Sequence, residues 1–187
     1  MTSDEATGAV IRALHDAGIP FMLVGSLSSN FYGVARASHD ADFVVALGDA
    51  PLARVAGRLG PDLRLDPQIT FESVTGTTRY RFELRDQDFT IEVFLLSSDP
   101  HDRERFARRV PAEMFGVPAF LPTPEDVIVM KLRWYVTARR RKDRDDVVNL
   151  IAVQREKLDL PYVRQWCERH GSLAAFEELL AAAPRLG

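Results

Sequence analysis

The chain has 187 residues, 46% hydrophobic and 27% charged, with a net charge of −3. That suits one ordinary domain, or one domain with a small appendage, with enough chain to bury a substantial core. It excludes a surface that is basic throughout, of the kind that coats nucleic acid, though not a local basic patch.

Thr2-x-x-Glu5 has the pattern of a capping box, and Ala6, Val10, Ala13, Leu14 and Ala17 then form a helical stripe that Gly18 ends. Phe21 to Val24 reads as a short buried strand. Ser26 caps a predicted helix through Tyr32, a loop covers 33–39, and a second strand runs from Ala41 to Leu47. A helix opens at Asp49-Ala50-Pro51 and continues to about Leu59, and 61–67 is irregular. Three strands come next, at Ile69–Ser73, Arg79–Leu84 and Phe89–Leu96, the middle one alternating apolar with charged. Residues 97–122 are mixed, with a basic helical piece from Arg103 to Arg109. Thr123-Pro124-Glu125-Asp126 combines a cap, a proline in the first turn and two acids, so a helix is expected to about Thr137. Arg139 to Lys142 reads as a basic loop, and a helix runs from Asp143 or Asp145 to Gln154. Two more are expected at Pro161–His170 and Leu173–Ala183, the latter capped by Ser172. This order predicts an α/β (α+β) fold, a mixed sheet with helices on one face. A core over 1–122 would carry a C-terminal helical region over 123–187.

Two stretches carry chemistry. Val24-Gly25-Ser26 ends one apolar strand, and Asp40-Ala41-Asp42-Phe43 opens the next. Residues two apart on a strand share a face, so Asp40 and Asp42 would stand side by side. Adjacent carboxylates repel unless a cation lies between them, and paired oxygen ligands suit Mg²⁺. Gly25 permits close backbone approach, and a helix starting at Ser26 would turn N–H groups toward an anion. Taken as plain structure, the same residues are turn formers at strand ends. Glu92 shares a strand face with Thr90, Phe94 and Leu96. It is either a third carboxylate of the site or the partner of Arg79 or Arg81. Lys131 has Val127, Ile128, Trp134 and Tyr135 around it at helical spacing. Its packed stem would carry the ammonium either to a phosphate or simply to solvent.

These motifs resemble the nucleotidyltransferase superfamily typified by DNA polymerase β. Within it, Arg36-x-Ser38-x-Asp40-x-Asp42 and the late Lys142-Asp143-x-x-Asp146 look most like the small bacterial abortive-infection-type, toxin-like enzymes. The likeness spans about residues 5–150, and it departs from the superfamily at Ala41, usually larger, and at Glu92, usually Asp. The resemblance implies transfer of a nucleoside monophosphate from an NTP to an acceptor hydroxyl, with release of pyrophosphate. Asp40, Asp42 and Glu92 would be catalytic and hold two Mg²⁺, with Mn²⁺ as a substitute. Gly25, Ser26, Lys131, Arg36, Lys142 and Asp143 would bind the nucleotide. The acceptor would be RNA such as a tRNA end, a protein, or a small molecule such as an aminoglycoside; DNA is not expected. A cognate antitoxin is among the implied partners. A degenerate, non-enzymatic module that binds nucleotide or a partner is the contrasting reading.

Other features narrow the field. Cys167 is the only cysteine, so neither an internal disulfide nor a cysteine metal cluster is available. His15, His39, His101 and His170 lack zinc-like spacing, and no serine sits in a nucleophile-elbow pattern, which argues against hydrolases. The acidic N-terminus shows no secretory pattern and no apolar run reaches membrane-spanning length, so a cytoplasmic setting without membrane partners is expected.

Overall fold

The computed structural model describes residues 1–48 and 52–185. It is an α+β fold built on a mixed six-stranded sheet. Helix α1, Ser3–Asp16, starts at the expected capping box: Thr2 N–H donates to Glu5 Oε2 at 2.8 Å, and Glu5 N–H donates to the Thr2 hydroxyl at 3.2 Å. Strand β1, Phe21–Val24, is buried throughout and leads directly into α2, Gly25–Tyr32. Strand β2, Asp40–Val45, returns antiparallel to β1. The helix expected to open at Asp49-Ala50-Pro51 begins outside the described residues; the next described helix is a single turn, α3, Ala53–Ala56. Then come β3, Leu63–Leu65, β4, Thr70–Glu72, β5, Thr77–Leu84, and β6, Thr90–Leu95. The order is β1-β2-β6-β5-β3, with β4 also on β5. Strands β2 and β6 are parallel, and their register sets Asp42 beside Glu92 and Val44 beside Phe94.

Strand alternation separates the two faces of this sheet. Phe21, Leu23, Phe43, Val45, Phe82, Ile91 and Val93 pack with Val10, Ile11 and Leu14 of α1 and Val55 of α3 in one core cluster. The opposite face carries Val24, Asp42, Val44, Glu92 and Phe94, all of which line a cavity. Helix α4, Pro100–Ala107, covers part of that face through Phe106. It is capped by Asp99 and sits earlier than the basic segment suggested. A hairpin of β7, Val110–Met114, and β8, Val117–Leu121, occupies the stretch whose sequence reads as mixed. Its strands carry Pro111 and Pro118, which hide a β pattern because proline is ordinarily confined to strand edges.

Helix α5, Pro124–Ala138, starts at the expected Thr123 cap and ends where Arg139 turns left-handed at φ 55°. Helix α6, Arg141–Gln154, takes Arg141 and Lys142 out of the anticipated loop and into its first turn. Helices α7, Leu160–Arg169, and α8, Leu173–Ala182, complete a second core cluster around Ile128, Leu132, Leu150, Trp166 and Phe176. Ser172 precedes α8 without a side-chain cap bond. Among the described residues, no helix is long and apolar enough to cross a membrane.

Candidate active site

One cavity, about 970 Å³ of open space counting the solvent at its mouth, lies between the sheet and helices α4, α5 and α6. Gly25, Ser26, Arg36, Asp40, Asp42, Glu92, Lys131, Lys142 and Asp143 all line it. Chain order scatters these residues from Gly25 to Asp143; the β1–β2 and β2–β6 registers and the docking of α5 and α6 gather them.

The first turn of α2 explains the Gly-Ser pair. Gly25 has φ +64°, and a Cβ there would stand 1.9 Å from Asp42 Oδ2. Only glycine both takes that backbone conformation readily and leaves room for the Asp42 carboxylate. Ser26 is inside the helix rather than its cap, and its hydroxyl points across the loop. Its Oγ lies 2.6 Å from Ser38 Oγ and 3.2 Å from Asp40 Oδ1, and Ser38 donates to the same oxygen at 2.6 Å. Asn30 fixes that loop by pairing with both backbone groups of Arg36, at 2.7 and 3.1 Å.

The two strand aspartates are held in opposite ways. Burial pushes Asp40 up, but the Ser38 hydroxyl, Lys142, Ser26 and Lys131 together hold it below the usual carboxylate range. Asp42 is pushed up to about 7, first by burial, then by the charges of Asp40 and Glu92. Glu92 is the register neighbour of Asp42. On the other side its register partner is Arg81, yet both its oxygens take Arg79 Nη1, at 3.0 and 3.1 Å. That diagonal pair is within reach of a long side chain. Glu92 thus borders the site and pairs with a strand arginine at once.

Lys131 does not end in solvent. Its ammonium lies 3.2 Å from Asp143 Oδ1 and 2.8 Å from Asp146 Oδ2. Arg36 clamps Asp146 with two bonds, 2.8 and 2.9 Å, and Arg140 clamps Asp143 at 2.7 and 3.2 Å. An alternating chain Arg36–Asp146–Lys131–Asp143–Arg140 therefore ties the α2–β2 loop to α5 and α6. Lys131, Asp143 and Asp146 are all buried. Arg36, first among the groups that stabilise its charge, holds Asp146 below the usual range against the effect of burial.

Sequence reasoning passed over other cavity residues. Asp102 and Arg105 of α4 and Glu72 also line it. The i, i+3 spacing of Asp102 and Arg105 was the available signal.

Among the described residues, no three His, Cys, Asp or Glu side chains stand close enough to form a ready metal cluster. The donor set at Asp40 and Asp42 nevertheless fits a hard divalent cation. Burial first, and then the charges of Asp40 and Glu92, disfavour the Asp42 carboxylate, and a cation would offset both; the missing Cβ of Gly25 leaves that carboxylate its room.

The fold has known counterparts. Antibiotic-resistance factor ANT(2″)-Ia in complex with adenylyl-2″-tobramycin superposes with a TM-score of 0.62 at 13% identity, covering 95% of this chain and 98% of that one. An antigenic nucleotidyltransferase-like protein from Paracoccidioides brasiliensis gives 0.54 at 14% identity, over 99% and 95% of the chains. The lincomycin-bound lincosamide antibiotic adenylyltransferase LnuA gives 0.53 at 8% identity, over 81% and 98%. The chain has the nucleotidyltransferase fold. No family model matches it. In sequence, 73 residues, 39% of the chain, are 37% identical to lysophospholipase nte1 of Aspergillus terreus, and that stretch spans 5% of the fungal protein. The match to the Emericella nidulans protein has the same extent at 38% identity.

Proposed function

We propose that this chain is a metal-dependent nucleotidyltransferase that moves a nucleoside monophosphate from an NTP to an acceptor hydroxyl and releases pyrophosphate. The observation that supports it most is the Asp42 carboxyl, raised by burial and then by Asp40 and Glu92, and packed against Gly25 at the start of α2. A cation held there would sit against a helix N-terminus, the pairing a metal-bound triphosphate needs. Asp40 and Asp42 would hold the metal, with Glu92 as the third carboxylate once Arg79 yields it. The bound Mg²⁺ would neutralise phosphate charge and lower the pKa of the attacking hydroxyl. Ser26 and the α2 backbone bind the β- and γ-phosphates. Lys142 at the mouth adds charge, and Lys131 has one N–H left for a phosphate oxygen after its two carboxylate partners. Arg36 and Asp143 act mainly by fixing Lys131 in place. Catalysis is then positioning and charge neutralisation around an in-line displacement.

The acceptor we favour is RNA or a protein side chain, in the toxin-like manner, because Arg140 and Lys142 of the basic run line the cavity. A small-molecule acceptor is the second reading, supported by the tobramycin and lincomycin named for the structural neighbours. The test is a panel of labelled NTPs with Mg²⁺ against total RNA, purified proteins, and aminoglycoside and lincosamide sets. Label transfer with pyrophosphate release, abolished by Asp40→Asn, is expected. No transfer and no Mg²⁺-dependent NTP binding would refute the proposal.

A further inference from the structure

Two neighbours compete for the Glu92 carboxylate. Register sets Glu92 beside Asp42 on the parallel strand β2, and both line the cavity. From the other side, Arg79 Nη1 donates to both Glu92 oxygens, at 3.0 and 3.1 Å. That bond is not the one register would choose. Across β5–β6 the residue opposite Glu92 is Arg81, and Arg79 stands opposite Phe94. The long, unbranched glutamate side chain can reach either neighbour by changing rotamer.

Arg79 is held to this diagonal from behind. Its register partner on the edge strand β4 is Thr70. The Thr70 hydroxyl accepts from Arg79 Nε at 2.9 Å. One flank of the guanidinium is thus fixed to β4, and the other is left for Glu92. The Arg79 and Glu92 side chains remain 30% and 20% exposed, and both face the cavity. A pair this open to water is weak enough for another cation to exchange with it.

We propose that Arg79 is a positioning residue that withholds Glu92 from the Asp40–Asp42 pair until a divalent cation displaces it, with Thr70 as its anchor. The proposal rests on the nucleotidyltransferase reading. Without metal, the guanidinium offsets one of three neighbouring carboxylates. A cation held by Asp40 and Asp42 competes with Arg79 for Glu92. Metal alone therefore binds less tightly than three free carboxylates would allow, and the third ligand joins only a site already loaded.

The test is calorimetric titration of Mg²⁺, with and without NTP, into the full chain and its variants. Arg79→Met keeps the stem and removes the competitor. It should bind Mg²⁺ about two- to fivefold more tightly than the wild type, the change a partly exposed ion pair supplies. Thr70→Val removes only the anchor and should act in the same direction by less. Arg81→Met is the control. It removes the same charge from the same strand face, opposite Glu92, without breaking a bond to it, and should change the affinity less than Arg79→Met does. In a Glu92→Gln background, Arg79→Met should bring no gain. Wild-type Mg²⁺ affinity in Arg79→Met, or in Thr70→Val should Arg79→Met not fold, would overturn the proposal. So would an equal gain in Arg81→Met, or a gain that persists with Glu92→Gln. Failure of the wild type and Arg79→Met alike to bind Mg²⁺, with or without NTP, would instead overturn the nucleotidyltransferase reading.

Discussion

Replacing Asp42 by asparagine should stabilise the metal-free protein, and the gain should depend on pH in a defined window. The folded-state carboxyl titrates at about 7, against 3.8 for the unperturbed group. A folded pKa above the unfolded one means that the native state holds its proton longer. Between these values the native state binds more protons than the unfolded state, so stability falls as pH rises. Three pKa units correspond to about 4 kcal/mol as an upper bound. Asp42 is only partly covered, and water in the open cavity screens its neighbours, so a gain on the order of 1–2 kcal/mol is the reasonable expectation. For a chain of this size that is roughly 2–8 °C in melting temperature. The assay is a series of thermal melts in chelator from pH 4 to 9, wild type against Asp42→Asn. The difference should be small near pH 4, grow to about pH 7, and stay constant above it. Added Mg²⁺ should reverse the order, because only the wild type keeps the ligand. A difference that does not change with pH, or an Asp42→Asn protein less stable than wild type at pH 8 in chelator, would refute the account of Asp42 as charge awaiting a cation.

Lys131→Met keeps the stem's packing but takes from Asp143 and Asp146 the ammonium they share; a loss of about 2–3 kcal/mol is expected by denaturant titration, and wild-type stability would mean the buried chain of charges contributes nothing. Gly25→Ala should lower the melting temperature and abolish Mg²⁺-dependent NTP binding together, since a Cβ would occupy the Asp42 oxygen's position; calorimetry on a folded, NTP-competent Gly25→Ala protein would contradict that geometry. Mg²⁺ should raise the melting temperature of Glu92→Gln less than that of the wild type, because a ligand that binds only the native state stabilises it in proportion to affinity. An equal metal-induced shift would take Glu92 out of the ligand set and leave it as the partner of Arg79.

What the sequence determined by itself is what depends on local spacing. A glycine and serine at the end of one apolar strand, and two aspartates in alternate positions on the next, have little choice but to meet once the strands pair, and the helix at Thr123 carries its own start signal. The main sheet, apart from the three-residue β3, was legible for the same reason: period-2 alternation and turn residues are local. Hidden were the elements whose signals are weak, β3 and the proline-bearing β7–β8 hairpin. Hidden too was the choice of ionic partners. Glu92 could have taken Arg79 or Arg81, and nothing near Lys131 in sequence announces that its ammonium meets two aspartates 12 and 15 residues on, or that Arg36 holds one of them across 110 residues. Spacing places a side chain on a face. Which charge it meets there is decided only by how the α2–β2 loop, α5 and α6 dock, because buried charges pair with whatever opposite charge packing brings within reach.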